Sequence, residues 1–294
     1  MLNPEYRLLS NTDYQAVKDL FLYHIFPEYG KKNKRGREGA FDRMLLMRRV
    51  DFEYSVGAFV NDKIIGFILM GVDSFEGKIT ACASGTGILT TYRRKGFASQ
   101  MLQFLVTQFK LKHINQALVT AQPRYQDGNK GSAARIYENI GYTYNRLLVS
   151  YKVPSNGLKP PHTSVSNYRI HQTKQPNWSL YNSWQNTSTS WERAKEAILI
   201  NTPYETFLEV QIYQQTVGFL VGDLRYGKIT QINASPDHDR ASILSALIYY
   251  FHQHSRLKRL RMFKIDTQEI HLIQVLEQLG FVKVNELEEL KLSF

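Results

Sequence analysis

The sequence predicts an α/β chain of two tandem domains, each built on a central, mostly antiparallel mixed sheet flanked by helices. Three observations lead there. The stretch "VPSNGLKPPHTSVSN" (Val153 to Asn167) has the Pro, Gly and Ser content of a linker. On either side of it the chain repeats itself in order: "EYRLL" at Glu5 with "NYRIH" at Asn167, "IGFILMGVDSFEGKIT" at Ile65 with "VGFLVGDLRYGKIT" at Val217, and "ENIGY" at Glu138 with "EQLGF" at Glu277. So long a period marks a duplicated domain and not a solenoid of short repeats. Finally, short apolar runs alternate with helical periodicity within each copy. The resulting boundaries are residues 1–153, a linker over 154–166, and residues 167–294.

Each element follows from local pattern. A helical N-terminal region comes first. "YSVGAFV" and "KIIGFILMGV" read as consecutive strands joined by the turn "NDK", and "GKITACASGTGIL" reads as a third strand. From Ala98, apolar residues fall at Met101, Leu102, Leu105, Val106 and Phe109, the spacing of an amphipathic helix. "INQALVTA" is a strand, "SAARIYENIGY" a short helix closed by Gly141, and "RLLVSYKV" the strand that ends the copy. The second copy follows with the helix "ASILSALIYYFHQHS", the strand "LKRLRMFKI", the helix "EIHLIQVLEQLGF" and a terminal strand.

Composition narrows the class. The 294 residues are 43% hydrophobic and 21% charged, the balance of a soluble globular protein. No apolar run is long enough to span a bilayer, and "MLNPEYRLLSNTDY" lacks the layout of a signal peptide, so a cytoplasmic location without membrane contact is expected. Cys82 is the single cysteine, and the eight histidines have no metal-ligand spacing, so no metal is expected. The net charge of +11 is uneven: residues 1–155 hold 22 Lys and Arg against 13 Asp and Glu. Charge gathered in one half points to an anion handled there. The chain lacks the base-stacking and groove-reading motifs of a nucleic-acid partner.

The stretch "TTYRRKGFAS" supplies the anion site. It stands between a strand and a helix, and the first amides of a helix have no acceptor inside it. With the helix dipole they hold anions. Gly96 lets the backbone approach a ligand, and Arg93, Arg94 and Lys95 add charge. The spacing fits neither a P-loop nor a dinucleotide fold. A charged, solvated turn is the plainer reading of this stretch taken alone.

Two motifs together resemble the GNAT superfamily of acyl-CoA-dependent N-acyltransferases. Its Arg/Gln-x-x-Gly-x-Gly/Ala signature is matched by Arg93-Arg94-Lys95-Gly96-Phe97-Ala98. Its small-helix signature is matched by Ala133, Ile136, Tyr137, Gly141 and Tyr142 in "NKGSAARIYENIGY". Asn129 lies one residue further from Ala133 than usual, and Thr90 replaces a common proline. The resemblance implies acetyl-CoA as co-substrate and a small-molecule or peptide amine as acceptor. The pantetheine arm would lie along Ile88, Leu89 and Thr90, with an amide of Ile88 or Leu89 holding the thioester oxygen. The pyrophosphate would sit on the amides from Arg94 to Ala98, and Tyr137 would protonate the leaving thiolate. The family has no fixed base. Glu53, at the start of a strand, is the candidate here, with Asp51 and His24 as alternatives. The run "KKNKRGRE" (Lys31 to Glu38) would suit an acidic acceptor if it borders the cleft, and is otherwise a solvated loop.

In the second copy, Pro236-Asp237-His238-Asp239 stands opposite Arg93-Arg94-Lys95-Gly96, and Leu276 opposite Tyr137. Carboxylates replace cations where a phosphate would lie. The second copy is therefore expected to keep the fold, lack the cofactor site and serve structurally, as one half of an intrachain pseudo-dimer that needs no second chain. The competing classes are a non-catalytic acyl-CoA-binding module and a basic nucleic-acid-binding protein.

Overall fold

The computed structural model describes residues 3–27, 37–123, 132–160 and 168–294. It divides into two compact units, Met1–Asn145 with Glu288–Phe294, and Arg146–Leu287. Among the described residues no helix is long and apolar enough to cross a membrane.

In the first unit, β1 (Glu5–Leu8), β2 (Val50–Val60), β3 (Lys63–Phe75), β4 (Lys78–Ile88) and β5 (Gln116–Ala121) lie in that order. The first four pair antiparallel, while β4 and β5 run parallel. Among the described residues, four α-helices accompany them. These are α1 (Tyr14–Asp19), continued as a π-helix over Leu20–Ile25, then α2 (Arg37–Met47), α3 (Phe97–Leu111) and α4 (Ser132–Glu138).

The unbroken apolar run of β3 has a simple cause. Successive strand residues point to opposite faces, so a strand covered on both sides must be apolar throughout. Phe67 and Leu69 pack with Val17, Phe21 and Phe41, whereas Ile68 and Met70 pack with Met101, Leu105 and Phe109 of α3. Asn61 and Asp62, with φ of 48° and 60°, turn β2 into β3 as a tight hairpin.

The second unit repeats the plan. It takes β6 (Thr143–Val153) from Arg146 onward, then β7 (Arg169–Thr173), α5 (Trp178–Ser183), α6 (Lys195–Ile200), β8 (Thr206–Ile212) and β9 (Gln215–Asp223). β10 (Lys228–Ala234), α7 (Arg240–His254), β11 (Leu260–Asp266) and α8 (Ile270–Gln278) follow. The sheet order is β6-β11-β10-β9-β8-β7, with β10 and β11 parallel. Tyr213 and Gln214 repeat the hairpin, with φ of 48° and 66°. The helix ends repeat too. Gly141 (φ 104°) and Gly280 (φ 92°) donate to Glu138 O and Glu277 O, and the following Tyr142 and Phe281 amides reach Tyr137 O and Leu276 O. A left-handed residue closing a helix in this way satisfies carbonyls that the helix leaves open.

One expectation changes. The units do not separate at the linker. The strand expected to finish the first copy, β6, pairs from Leu148 to Val153 with β11 of the second unit's sheet. The open edge of β5 is filled by the last strand, β12 (Val282–Ser293), whose residues Glu288–Ser293 pair antiparallel with Gln116–Ala121. The physical cause is the buried face of β12: Leu290 is fully buried in the first unit's core beside Tyr137 and Tyr142. Truncating it leaves a cavity, so Leu290→Ala should destabilise the first unit by about 2–5 kcal/mol. Denaturant unfolding followed by tyrosine fluorescence measures this, and an unchanged midpoint would show that the first unit does not need the strand.

Candidate active site

β4 and β5 pair only over Thr80–Cys82 and Gln116–Leu118. Beyond Cys82, β4 continues to Ile88 along β3, and pairing with β5 ceases. A cleft of about 330 Å³ opens between the parted strands. Its walls are Ser84 to Thr86 of β4, Val119 and Thr120 of β5, Ala98 of α3 and Tyr137 of α4.

The turn expected to bind an anion follows β4. Leu89 donates its amide to Ile65 O at 2.9 Å, across β3. This takes Leu89 out of the thioester-holding role. In an antiparallel ladder the peptide groups of neighbouring residues point to opposite sides. Those of Ile88 therefore face the parted side of β4, where its carbonyl accepts Arg93 Nε at 3.0 Å. A turn over Thr90–Tyr92 leads into Arg93, Arg94, Lys95 and Gly96, all exposed. Arg94 (φ 60°) and Gly96 (φ 82°) are left-handed, a geometry that gathers successive amides around one point. The first helical bond of α3 runs from Gln100 N to Gly96 O, so the amides of Phe97, Ala98 and Ser99 have no acceptor inside the helix. A Cβ built on Gly96 would meet nothing within 4 Å, which leaves the approach to those amides open. Phe97 is buried and anchors the turn to the core, and Ala98 lines the cleft.

Tyr137 is 7% exposed, and its ring meets Tyr142 edge-on at 5.3 Å. Its hydroxyl lies 3.4 Å from Thr86 Oγ1. Burial holds its pKa above the ordinary tyrosine value, more than the Thr86 bond lowers it. The hydroxyl therefore keeps its proton and can donate it.

The expected base is not brought to the cleft. Glu53 is exposed on β2 and absent from the lining. Its amide is held by Asp51 Oδ1 at 2.8 Å and its carbonyl by Lys112 Nζ at 2.7 Å. Lys112 ends α3, a 15-residue helix that places about 22 Å of rise between it and Gly96. Asp51 and His24 are also outside the lining. Asn129 and most of the run from Lys31 to Glu38 lie outside the described residues. The sequence reading missed Arg48, a cation in the lining just past α2.

The second unit parts its parallel strands in the same way. β10 and β11 pair only at Lys228–Ile229 with Arg261–Met262. Here the gap is filled from within. Arg193, 4% exposed, donates from Nε to Thr230 O at 2.9 Å and from NH1 to Lys264 O at 3.2 Å, and pairs with Glu269 Oε1 at 3.2 Å. Only about 40 Å³ remains. At the start of α7, Asp239 Oδ1 accepts the Ser242 amide at 3.1 Å and Oδ2 the Ser242 hydroxyl at 2.6 Å. These bonds hold its carboxyl below the ordinary range. The helix thus carries its own anion. Leu276 is fully buried where Tyr137 stands in the first unit.

Comparison with known proteins bears on this arrangement. Residues 20–142 match the family model described as "Acetyltransferase (GNAT) family". None of the curated proteins matches the chain. Among solved structures, a tandem GNAT protein from the clavulanic acid biosynthesis pathway is similar over 99% of this chain and 98% of its own, with TM-score 0.67 and 12% identity. A GCN5-related N-acetyltransferase from Sphaerobacter thermophilus is similar over 99% and 95%, with TM-score 0.63 and 12% identity. The GCN5-related glucosamine N-acetyltransferase region of a fungal multi-domain GH3 β-N-acetylglucosaminidase gives TM-score 0.73 at 11% identity, over 99% of this chain and 38% of that one. At such identities the likeness establishes the fold, and family and fold together support acyl transfer in general. Residues 20–142 thus match the model of the GNAT acetyltransferase family, within a chain that has a tandem GNAT fold along its length.

Proposed function

We propose that the first unit transfers an acetyl group from acetyl-CoA to an amine by direct attack. The observation that carries this reading is the cleft between β4 and β5. It has an open anion-binding turn at one end and a buried, protonated hydroxyl in its wall. The residues fit the co-substrate. Exposed Arg94 and Lys95 and the unclaimed amides at the start of α3 suit a pyrophosphate, and the strand edge up to Thr90 suits the pantetheine amides.

Each residue then has a task. The Ile88 amide faces the parted side and would hold the oxygen of the tetrahedral intermediate. The amine nitrogen bonds to the thioester carbon and the carbon–sulfur bond breaks. Tyr137 gives its proton to the departing thiolate. Among the described residues no carboxylate lines the cleft, and water would take the proton from the amine. Glu53 would serve only as the far end of such a water path.

Tyr137→Phe removes the proton donor and little volume. It should lower kcat by about 10²- to 10⁴-fold while acetyl-CoA affinity stays near that of the unaltered protein. Because the folded pKa is raised, activity that depends on the protonated hydroxyl should persist past the ordinary tyrosine titration and fall only as pH rises through the elevated value. Steady-state kinetics across pH checks both points, and undiminished turnover in the variant would return Tyr137 to a packing role.

The second unit should bind no acetyl-CoA, because Asp239 occupies its helix start and Arg193 its cleft. Calorimetric titration should give one acetyl-CoA per chain, and Gly96→Asp should abolish it, since the added carboxylate would stand in the open approach to the amides. Two sites per chain, or unchanged affinity in the variant, would contradict the assignment.

A further inference from the structure

The second unit gathers cations at one end of its sheet. Lys228 of β10 stands opposite Arg261 of β11, and Arg261 stands opposite Lys152 of β6. Residues in register share a face, so three cations from three adjacent strands form one row. Their neighbours along the strands, Ile229, Met262 and Tyr151, point the other way and are buried with α7 and α8. Exposed Arg259, two residues before Arg261, extends the row beyond the strand. Backbone bonds fix this end. The Arg256 amide donates to Leu224 O at 2.8 Å and the Arg261 amide to Gly227 O at 2.9 Å. Gly227 (φ 60°) leaves the loop its room, since a Cβ there would stand 2.0 Å from Arg259 O.

Like charges directly opposite one another oppose strand pairing. Burial and the neighbouring Arg259 hold the Arg261 guanidinium below its ordinary pKa, with Asp223 and Tyr226 acting the other way. Arg261 Nε is buried without a hydrogen-bond partner. Two carboxylates stand near. Asp223, opposite Lys228, takes Arg225 through bonds of 2.9 and 2.6 Å. Glu205 feels the charge of Lys228 but is buried, and accepts from Asn201 at 2.7 Å and Thr230 at 3.2 Å. The row thus keeps an excess of positive charge that an outside anion would relieve.

Open aromatic rings border the row. Phe263, 39% exposed, lies two residues beyond Arg261, whose guanidinium is 5.5 Å from the ring centre. Tyr204 and Tyr226 are 49% and 41% exposed, and the Arg225 guanidinium lies 3.9 Å over the first ring and 5.3 Å from the second. Charge alone would suit any polyanion. Cations beside open rings suit one with both phosphates and unpaired bases, because every base has a face to stack. No motif announces this surface, since its rings and cations come from separate segments that meet only through strand pairing.

We propose that this end of the second unit's sheet binds single-stranded nucleic acid. Phosphates would lie along Lys152, Arg261 and Lys228, and bases would stack on Phe263 and Tyr226. The activity is separate from acetyl transfer and uses no part of the first unit's cleft.

Fluorescence anisotropy of the full chain with labelled RNA and DNA single strands of about 15 nucleotides tests this. Affinity should fall steeply between about 50 and about 200 mM salt. Lys152→Gln combined with Arg259→Gln, both at exposed positions, should weaken binding about tenfold or more. It should also make the salt slope shallower by about 1.4, at about 0.7 per cation for a single strand. Phe263→Leu should weaken binding about fivefold or more and leave the slope unchanged. Tighter binding of RNA than of DNA would assign contacts to the 2′-hydroxyl, and binding of either strand supports the proposal. The denaturation midpoint of each variant is measured alongside, and relief of like charges should hold or raise it in the double variant. Absence of binding at low salt, or a double variant that binds as well as the intact protein, would overturn the proposal. So would an oligo-glutamate peptide that competes as well as the unlabelled strand, which would mean that charge alone is read. A lowered midpoint in the double variant would overturn it too, by showing that the cations serve the fold.

Discussion

Everything proposed for the first unit depends on one constraint: two parallel strands that begin paired and then part. A parallel pair inside a sheet normally satisfies its peptide groups along its whole length. Here β4 and β5 stop pairing after Cys82 and Leu118, and β4 runs on with peptide groups facing an opening. That opening needs walls that do not collapse into it. α3 and α4 supply them through a shared core that includes Met101, Leu105, Tyr137 and, from the far end of the chain, Leu290. The cleft is thus a product of packing, and its polar edge is a row of backbone groups held in place by β3.

The two copies resolve the same constraint differently. In the second unit Arg193 bridges the carbonyls of the parted strands, and its charge is met by Glu269. Asp239 caps α7 with a carboxylate, which the helix dipole favours. Both needs are met internally. In the first unit the helix start is capped by Gly96, which has no side chain to offer, and three exposed cations stand beside it. The same backbone geometry there has no side chain of its own helix start to complete it. A difference of a few side chains, on one fold, separates a copy whose gap is filled by its own side chains from one whose gap stays open.

Much of this was legible in the sequence because it is local. Asn61-Asp62 announces a hairpin, Gly141 and Gly280 announce helix ends, and the glycine after three cations announces the turn before α3; each depends on neighbours in the chain. Three features were not legible. The partner of a strand is not written in its own pattern, so nothing in β6 or β12 told that Glu288–Ser293 would fill the edge of β5. Glu53 was misplaced because the β2–β3 register shifts between Asp51 and Val56, and an irregularity of this kind breaks the alternation by which a strand's facing residues are counted. Arg48 looked like any cation after a helix. Its place at the cleft comes from Gly71, more than twenty residues away, which lets the backbone lie close.

The central claim is that one copy is open and the other filled by its own side chains. Amide hydrogen exchange, measured with and without saturating acetyl-CoA, tests it at both places in a single experiment. The account predicts slowed exchange from Thr86 to Gln100, covering the parted end of β4, the phosphate turn and the first turn of α3, with no change from Ser235 to Leu244 in the second unit. Protection at the start of α7, or none at the start of α3, would contradict it.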